Sequence, residues 1–258
     1  MAKYSAVQAP IFAIFDPGLY DEVRYQWKGT NLLYLLGLVF VIVLMLAVSW
    51  WYQLNMVVSK EATKIIAQLP VMTFQDGEMS IDKPSPYTIS NPWPTSKDED
   101  MSLAVFDMDG KYSSPEDAKT AVLFTKKEMI PAKDGKRTVY GDIGSNGKLD
   151  SDTINGMVKM FVIWVPILVV LLGLPFLWSL HALQALIYAG VAAVVGQVSG
   201  SPMPFDAALR LAIIAMSPVM LLSTGMSCTN TFVPFWGFIT IPIVIGYIVF
   251  AVRTTAKT

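Results

Sequence analysis

The sequence predicts an α-helical integral membrane protein of about five transmembrane helices. A small mixed α/β, mainly antiparallel-β, extracytoplasmic domain is inserted after the first helix. Three observations carry this expectation. After Lys159 the only formally charged residues are Asp206, Arg210, Arg253 and Lys257. Residues 29–59 hold no charge at all. Most of the remaining charge lies within residues 60–159. An ionised group at the centre of a membrane helix costs about 2.5–3.5 kcal/mol on insertion scales. Charge segregated this way marks apolar ends and a water-facing middle.

Composition agrees with that division. The chain of 258 residues is 53% hydrophobic and 15% charged, whereas a soluble domain carries about 25% charged residues. The net charge of −1 supplies no basic field for nucleic acid, so no nucleic-acid partner is expected. Cys228 is the only cysteine. It makes no internal disulfide and reads as a small packing residue.

Residues 1–30 form the first expected segment, cytoplasmic and interfacial. Asp16-Pro17 is a helix start. Leu19, Tyr20, Val23 and Trp27 then recur at helical spacing, with Asp21, Glu22, Arg24 and Lys28 on the other face. This pattern predicts an amphipathic helix lying at the membrane surface, with Tyr25 and Trp27 at headgroup depth. The mixed lead-in and the bulky Trp50-Trp51 end of the apolar run argue for a retained signal anchor rather than a cleaved signal peptide.

Residues 31–52 are the first span. About 20 apolar residues at 1.5 Å rise match a hydrocarbon core of about 30 Å. Lys3, Arg24 and Lys28 precede it, so the positive-inside rule places the N-terminus in the cytoplasm. Residues 53–156 are then periplasmic. The apolar stripe Ala62, Ile65, Ile66 and Leu69 continues the first helix, and Pro70 ends it. Residues 71–74 and 78–81 flank Asp76-Gly77, a strong hairpin signal. Further strands are expected at 101–108, 120–126 and 138–143. The Pro-rich stretch 83–100 and the Gly/Ser/Asn-rich stretch 142–152 read as surface loops.

Residues 157–252 hold the remaining spans: 157–177, 181–198, 205–222 and 232–252, with a tight turn near Trp178-Ser179. Two counts stand. If 181–198 lies in the interface there are four spans, and Arg210, Arg253 and Lys257 are all cytoplasmic. The five-span count is the working expectation, with 253–258 as a C-terminal tail.

Few motifs carry chemistry. Asp107-Met108-Asp109-Gly110 lacks the first ligand of a calcium loop and reads as a hairpin turn. One histidine and one cysteine make no zinc or iron site. There is no phosphate loop, no GxSxG and no Ser/His/Asp grouping. No catalytic, cofactor or metal residues are therefore expected. Asp206 and Arg210, at i and i+4, pair near a helix start, and Arg210 is also a candidate to face a polar cavity or a partner. His181 and Gln184 are the polar residues of the weakest span. With Trp27 they complete the candidate functional or partner-contacting set: Asp206, Arg210, His181, Gln184 and Trp27. The Pro-broken spans and the polar stretch from Ser223 to Thr231 also occur in transporter-like designs.

Several strings together resemble one family. They are Phe15-Asp16-Pro17-Gly18-Leu19-Tyr20, Trp27-Lys28-Gly29, Leu69-Pro70-Val71-Met72-Thr73-Phe74-Gln75-Asp76-Gly77 and Pro86-Tyr87-Thr88-Ile89. Others are Phe106-Asp107-Met108-Asp109-Gly110-Lys111-Tyr112, Val122-Leu123-Phe124-Thr125-Lys126, Leu183-Gln184-Ala185-Leu186-Ile187-Tyr188-Ala189, Leu209-Arg210-Leu211-Ala212, Ser217-Pro218, Pro234-Phe235-Trp236 and Gly246-Tyr247. The chain resembles a bacterial family of multi-pass inner-membrane proteins of unknown function. That family includes the maltodextrin-utilisation membrane proteins and is distantly grouped with the Yip/YIPF superfamily. The resemblance implies a five-helix unit with an outer domain after helix 1, and brings no catalytic residues. Met108-Asp109 departs from the family's more Thr-like turn.

The functional expectation is a non-enzymatic accessory or scaffold protein of the bacterial inner membrane. Its partners would be membrane lipids and a protein in the membrane or periplasm, or a second copy of itself. The alternatives are a transporter or channel component, and envelope sensing or lipid handling.

Overall fold

The computed structural model describes residues 4–92, 101–133, 136–140 and 146–256. Lys3, Lys257, part 93–100 of the Pro-rich stretch and part 141–143 of the last expected strand lie outside the described residues. The chain divides into two compact units, Met1–Tyr52 with Trp164–Thr258, and Gln53–Ile163.

The first unit is helical. Short α1 (Ala9–Phe12) precedes α2 (Pro17–Tyr25). Asp16 caps α2 by accepting from the Gly18 N–H at 2.9 Å, and Pro17 fills the first turn, where its missing N–H costs nothing. Then come α3 (Leu32–Val57), α5 (Ser151–Val198), α6 (Phe205–Cys228) and α7 (Trp236–Thr255). Between α3 and α5 the chain enters the second unit, where a π turn (Val58–Ala62) and α4 (Thr63–Ile66) extend α3. Among the described residues four helices are long and apolar enough to cross a membrane: Leu32–Ile66, Ser151–Val198, Phe205–Cys228 and Trp236–Thr255.

Burial sorts these helices. In its most apolar stretch α6 is 72% buried inside the chain, and α5 only 6%. Alanines 207, 208, 212 and 215 explain the first figure, because small side chains let neighbouring backbones approach. Alanines 208, 212 and 215 pack with Leu35, Val39 and Ile42 of α3, Ala185, Ala189 and Ala192 of α5, and Ile248 and Ala251 of α7 in one core. Ser217 precedes Pro218 in α6 and donates to the Ile213 carbonyl at 2.9 Å. Its oxygen also meets the Tyr34 hydroxyl at 3.1 Å.

Two expectations fail in this unit. The turn near Trp178-Ser179 is absent, and residues 157–177 and 181–198 belong to one unbroken helix. The described residues therefore hold four candidate spanning helices where five were expected. An all-apolar stretch has no polar face whose phase would reveal a reversal, so length alone suggested two helices. The helix ends later, at Gly200, whose φ of +68° suits a residue without Cβ. Ser201 N–H bonds the Gly196 carbonyl at 2.9 Å and Gly200 N–H the Gln197 carbonyl at 3.2 Å, a Schellman closure. Secondly, the face of α2 expected to be wet is partly covered. Leu19, Tyr20 and Val23 are fully buried, and Glu22 and Arg24 of that face are buried too. At a period of 3.6, Glu22 and Arg24 fall only about 85–115° from the centre of the apolar stripe. They are flank positions, and α6 and α7 cover them as well.

The second unit holds two small sheets. One has the order β2 (Glu78–Ile81), β1 (Met72–Gln75), β8 (Gly147–Leu149), all antiparallel. Asp76 and Gly77 turn between β1 and β2 with φ of +52° and +78°, the left-handed pair a two-residue hairpin requires. The other sheet has the order β3 (Tyr87–Ile89), β4 (Ser102–Asp107), β5 (Thr120–Thr125), β6 (Glu128–Pro131), β7 (Thr138–Val139). Here β4 and β5 run parallel, while the other pairs are antiparallel. The expected loops at 83–100 and 142–152 thus contain β3 and β8, three-residue strands too short to show alternation. Phe106 and Phe124 stack at 4.6 Å across the parallel pair. Ile65, Leu69 and Ile154 pack against the same core.

Asp107 is buried, and its carboxylate accepts from the Tyr112 N–H at 2.7 Å and the Asp109 N–H at 3.2 Å. This acid organises the loop after β4, and the chain runs on to a parallel strand instead of closing the expected hairpin. Among the described residues no three His, Cys, Asp or Glu side chains group closely enough to hold a metal.

Candidate functional site

Two places in the helical unit gather polar side chains. The first is the end where α2, the residues 199–204 between α5 and α6, the start of α6 and the finish of α7 meet. Arg210 lies one turn into α6 and is buried. Its Nη1 donates to Asp206 Oδ2 at 2.7 Å and to the Gly29 carbonyl at 2.8 Å. Its Nε donates to the Val23 carbonyl and its Nη2 to the Arg24 carbonyl, both at 3.1 Å. The last carbonyls of α2 have no partner within their own helix. A cation at that negative end serves both their hydrogen bonding and the helix dipole.

Arg24 turns the other way. Its Nη1 donates to Thr255 Oγ1 at 2.8 Å, and its Nη2 to Ser201 Oγ at 2.8 Å and the Ser201 carbonyl at 3.1 Å. The guanidinium also lies 5.1 Å from the Tyr25 ring centre. Tyr25 in turn donates to the Thr255 carbonyl at 3.0 Å. Glu22 accepts from the Trp27 indole N–H at 3.1 Å and from the Tyr4 N–H at 3.4 Å. Burial raises the Asp21 carboxyl pKa, and the Arg24 charge lowers it in part.

The second place is a cavity of about 310 Å³ between α3, α5, α6 and α7. Its polar lining is His181, Gln184, Ser223, Thr224, Ser227, Trp236 and Thr240, against an apolar wall that includes Ile42, Leu46 and Met216. His181 Nδ1 lies 3.2 Å from Gln184 Oε1. Trp236 Nε1–H donates to Ser223 Oγ at 2.8 Å. Ser223 and Thr224 donate at 2.8 Å to carbonyls one turn back, as Ser227 does at 3.0 Å. An adjoining hollow shares Ser223, Ser227, Trp236 and Gly237 and reaches Phe232, Phe235 and Phe238 between α6 and α7.

The family model for "Protein of unknown function (DUF1189)" matches residues 8–252. The chain belongs to the DUF1189 family. No curated protein and no solved structure matches this DUF1189 chain. The match covers both the arginine-held end up to Val252 and the whole cavity lining.

In the DUF1189 chain the five residues singled out in sequence fall into two groups. Asp206, Arg210 and Trp27 stand at the arginine-held end, and His181 and Gln184 in the cavity. The structure does not bring the groups together. Sequence reasoning passed over Arg24, Ser201 and Thr255, whose bonds join distant helices and leave no local pattern. It noted the Ser223 to Thr231 stretch only as a break. Four of its members, Ser223, Thr224, Ser227 and, in the adjoining hollow, Thr231, line the two spaces. Their i, i+1, i+4 spacing on one helical face was the available signal.

Proposed function

We propose that this DUF1189 protein is a non-enzymatic accessory or scaffold protein of the bacterial inner membrane. Its N- and C-termini lie in the cytoplasm and residues 53–156 in the periplasm. The observation that carries this reading is the use made of buried charge. Ionisable groups inside a membrane are by default the seats of transport or catalysis. Here Arg24, Arg210 and Glu22 each bind the protein's own main chain or polar side chains, which is architecture.

The same end supports the topology proposed. The N-terminal helix, the α5–α6 connection and the end of α7 share it, so the number of crossings is even. Its arginines favour the cytoplasmic side. The exposed apolar sides of α5 suit contact with lipid and with a partner in the membrane.

Purification in mild detergent with mass spectrometry tests the proposal. A reproducible partner, or a stable self-associated species, is the expected result. Repeated recovery of a lone monomer counts decisively against it. The second reading, a component that passes solutes, is favoured by the polar cavity. It requires flux of ions or sugars into reconstituted vesicles, and absence of flux removes it.

A further inference from the structure

The cavity beside His181 has a chemistry that selects its occupant. Among the described residues no Asp, Glu, Lys or Arg lines it. A charged ligand would enter a poorly solvating space without a counter-charge, which is costly. The occupant is therefore uncharged.

The remaining hydrogen-bond capacity points the same way. Gln184 Oε1 only accepts, so His181 Nδ1 carries the proton in their 3.2 Å contact. His181 Nε2 is then an acceptor. Ser223, Thr224 and Ser227 give their protons to Val219, Met220 and Ser223 carbonyls, and Thr240 gives its proton to Gly237 at 2.9 Å. Each hydroxyl keeps acceptor capacity only. The Gln184 amide N–H₂ is the remaining donor, and it has no partner among the described residues. The space is thus acceptor-rich, uncharged and apolar on one wall. It calls for a group with two or more O–H donors on an apolar body.

An aromatic rim adjoins the cavity. The adjoining hollow carries Phe232, Phe235 and Phe238, which are 85%, 78% and 74% exposed. Phe235 is held at φ +58°, a conformation that strains a bulky residue and persists where surroundings enforce it. Exposed aromatic rings at the end of apolar helices suit the headgroup layer of a bilayer.

We infer that this cavity binds an uncharged dihydroxyl or polyhydroxyl group, with Gln184 donating to it and His181 Nε2 and the Ser223, Thr224 and Thr240 hydroxyls accepting from it. Two sources share that chemistry: the headgroup of a neutral membrane lipid and a free polyol. The inference uses the helical unit alone and stands apart from the existence of a protein partner.

The test uses the full chain in phosphatidylcholine nanodiscs doped with monoacylglycerol, which carries two free hydroxyls, or with lysophosphatidate bearing the same chain, and read by native mass spectrometry. Free glycerol is titrated in parallel. Monoacylglycerol retained above lysophosphatidate and phosphatidylcholine assigns the site to lipid. Glycerol binding lost in the same variants assigns it to a soluble polyol. Gln184→Leu should weaken retention about five- to tenfold, the worth of one hydrogen bond. Thr240→Val is the milder companion, keeping the test open if Gln184→Leu fails to fold. Retention unchanged in a variant that elutes and melts like the wild type overturns the inference. So does equal retention of lysophosphatidate, or binding of neither monoacylglycerol nor glycerol.

Discussion

Arg210 and Arg24 are joined through the main chain: Nη2 of Arg210 donates to the Arg24 carbonyl at 3.1 Å. One buried cation therefore fixes the backbone from which the other reaches Thr255 and Ser201. Stability at this end depends on both.

Arg210→Met leaves the Val23, Arg24 and Gly29 carbonyls without their donor. The expected loss is about 3–5 kcal/mol, as for a broken buried ionic network. Arg210→Lys restores little of it, because an ammonium cannot reproduce the forked geometry. Thermal unfolding in mild detergent, with limited proteolysis at residues 4–25, checks both variants.

Thr255→Val removes the acceptor for Arg24 Nη1 and should cost about 1–3 kcal/mol. Thr255→Ser should stay near wild type. Hydrogen exchange over residues 248–256 separates the two. Equal protection in all three proteins would disprove the tie.

Glycines that look alike in sequence should behave differently. A Cβ on Gly196 would lie 3.0 Å from the Ser201 carbonyl oxygen and from Met203 Cε. The oxygen belongs to the backbone closure of α5, so Gly196→Ala should destabilise by about 1–3 kcal/mol. At Gly190 nothing lies within 4 Å of the new methyl, and Gly190→Ala should stabilise by about 0.5–1 kcal/mol. Melting of the two variants in one detergent decides the matter.

Asp150 supplies a pH-dependent helix cap. Its Oδ1 accepts from Thr153 N–H at 2.9 Å and Thr153 Oγ1 at 2.7 Å. These bonds to Thr153 hold the carboxyl below its ordinary value of 3.8. A lowered folded-state pKa gives stability that is full above 3.8 and is lost as pH falls through the depressed value. Exchange at residues 151–154 should therefore quicken on acidification below that point. Asp150→Asn should flatten the dependence.

Asp107→Ala should cost about 1–3 kcal/mol and loosen the loop after β4, because the Tyr112 N–H loses its partner. Unfolding followed by exchange at residues 107–112 measures it. Asp107→Asn should retain part of the effect.

How much of this was legible varied by element, for physical reasons. The hairpin at Asp76-Gly77 could be read because few residue pairs tolerate two left-handed conformations in sequence. The first apolar helix could be read from length and lack of charge. The unbroken course of α5 could not, since uniform apolarity erases the phase that marks a reversal. The Asp206–Arg210 pair was visible at i, i+4 spacing, and it forms at 2.7 Å. What Arg210 also holds was invisible, because backbone carbonyls have no sequence signature. The cavity stayed hidden for a related reason: His181 and Gln184 come from α5 and the hydroxyls from α6 and α7, and no local spacing links them.

The bond from Arg24 to Thr255 joins residues 231 positions apart. Arg24 emerges from the ribosome early and Thr255 among the last residues of this sequence. During translation the arginine therefore waits with an empty guanidinium face until α7 has been inserted. A nascent chain halted before α7 holds Arg24 through Ser201 and Tyr25, with Nη1 lacking Thr255.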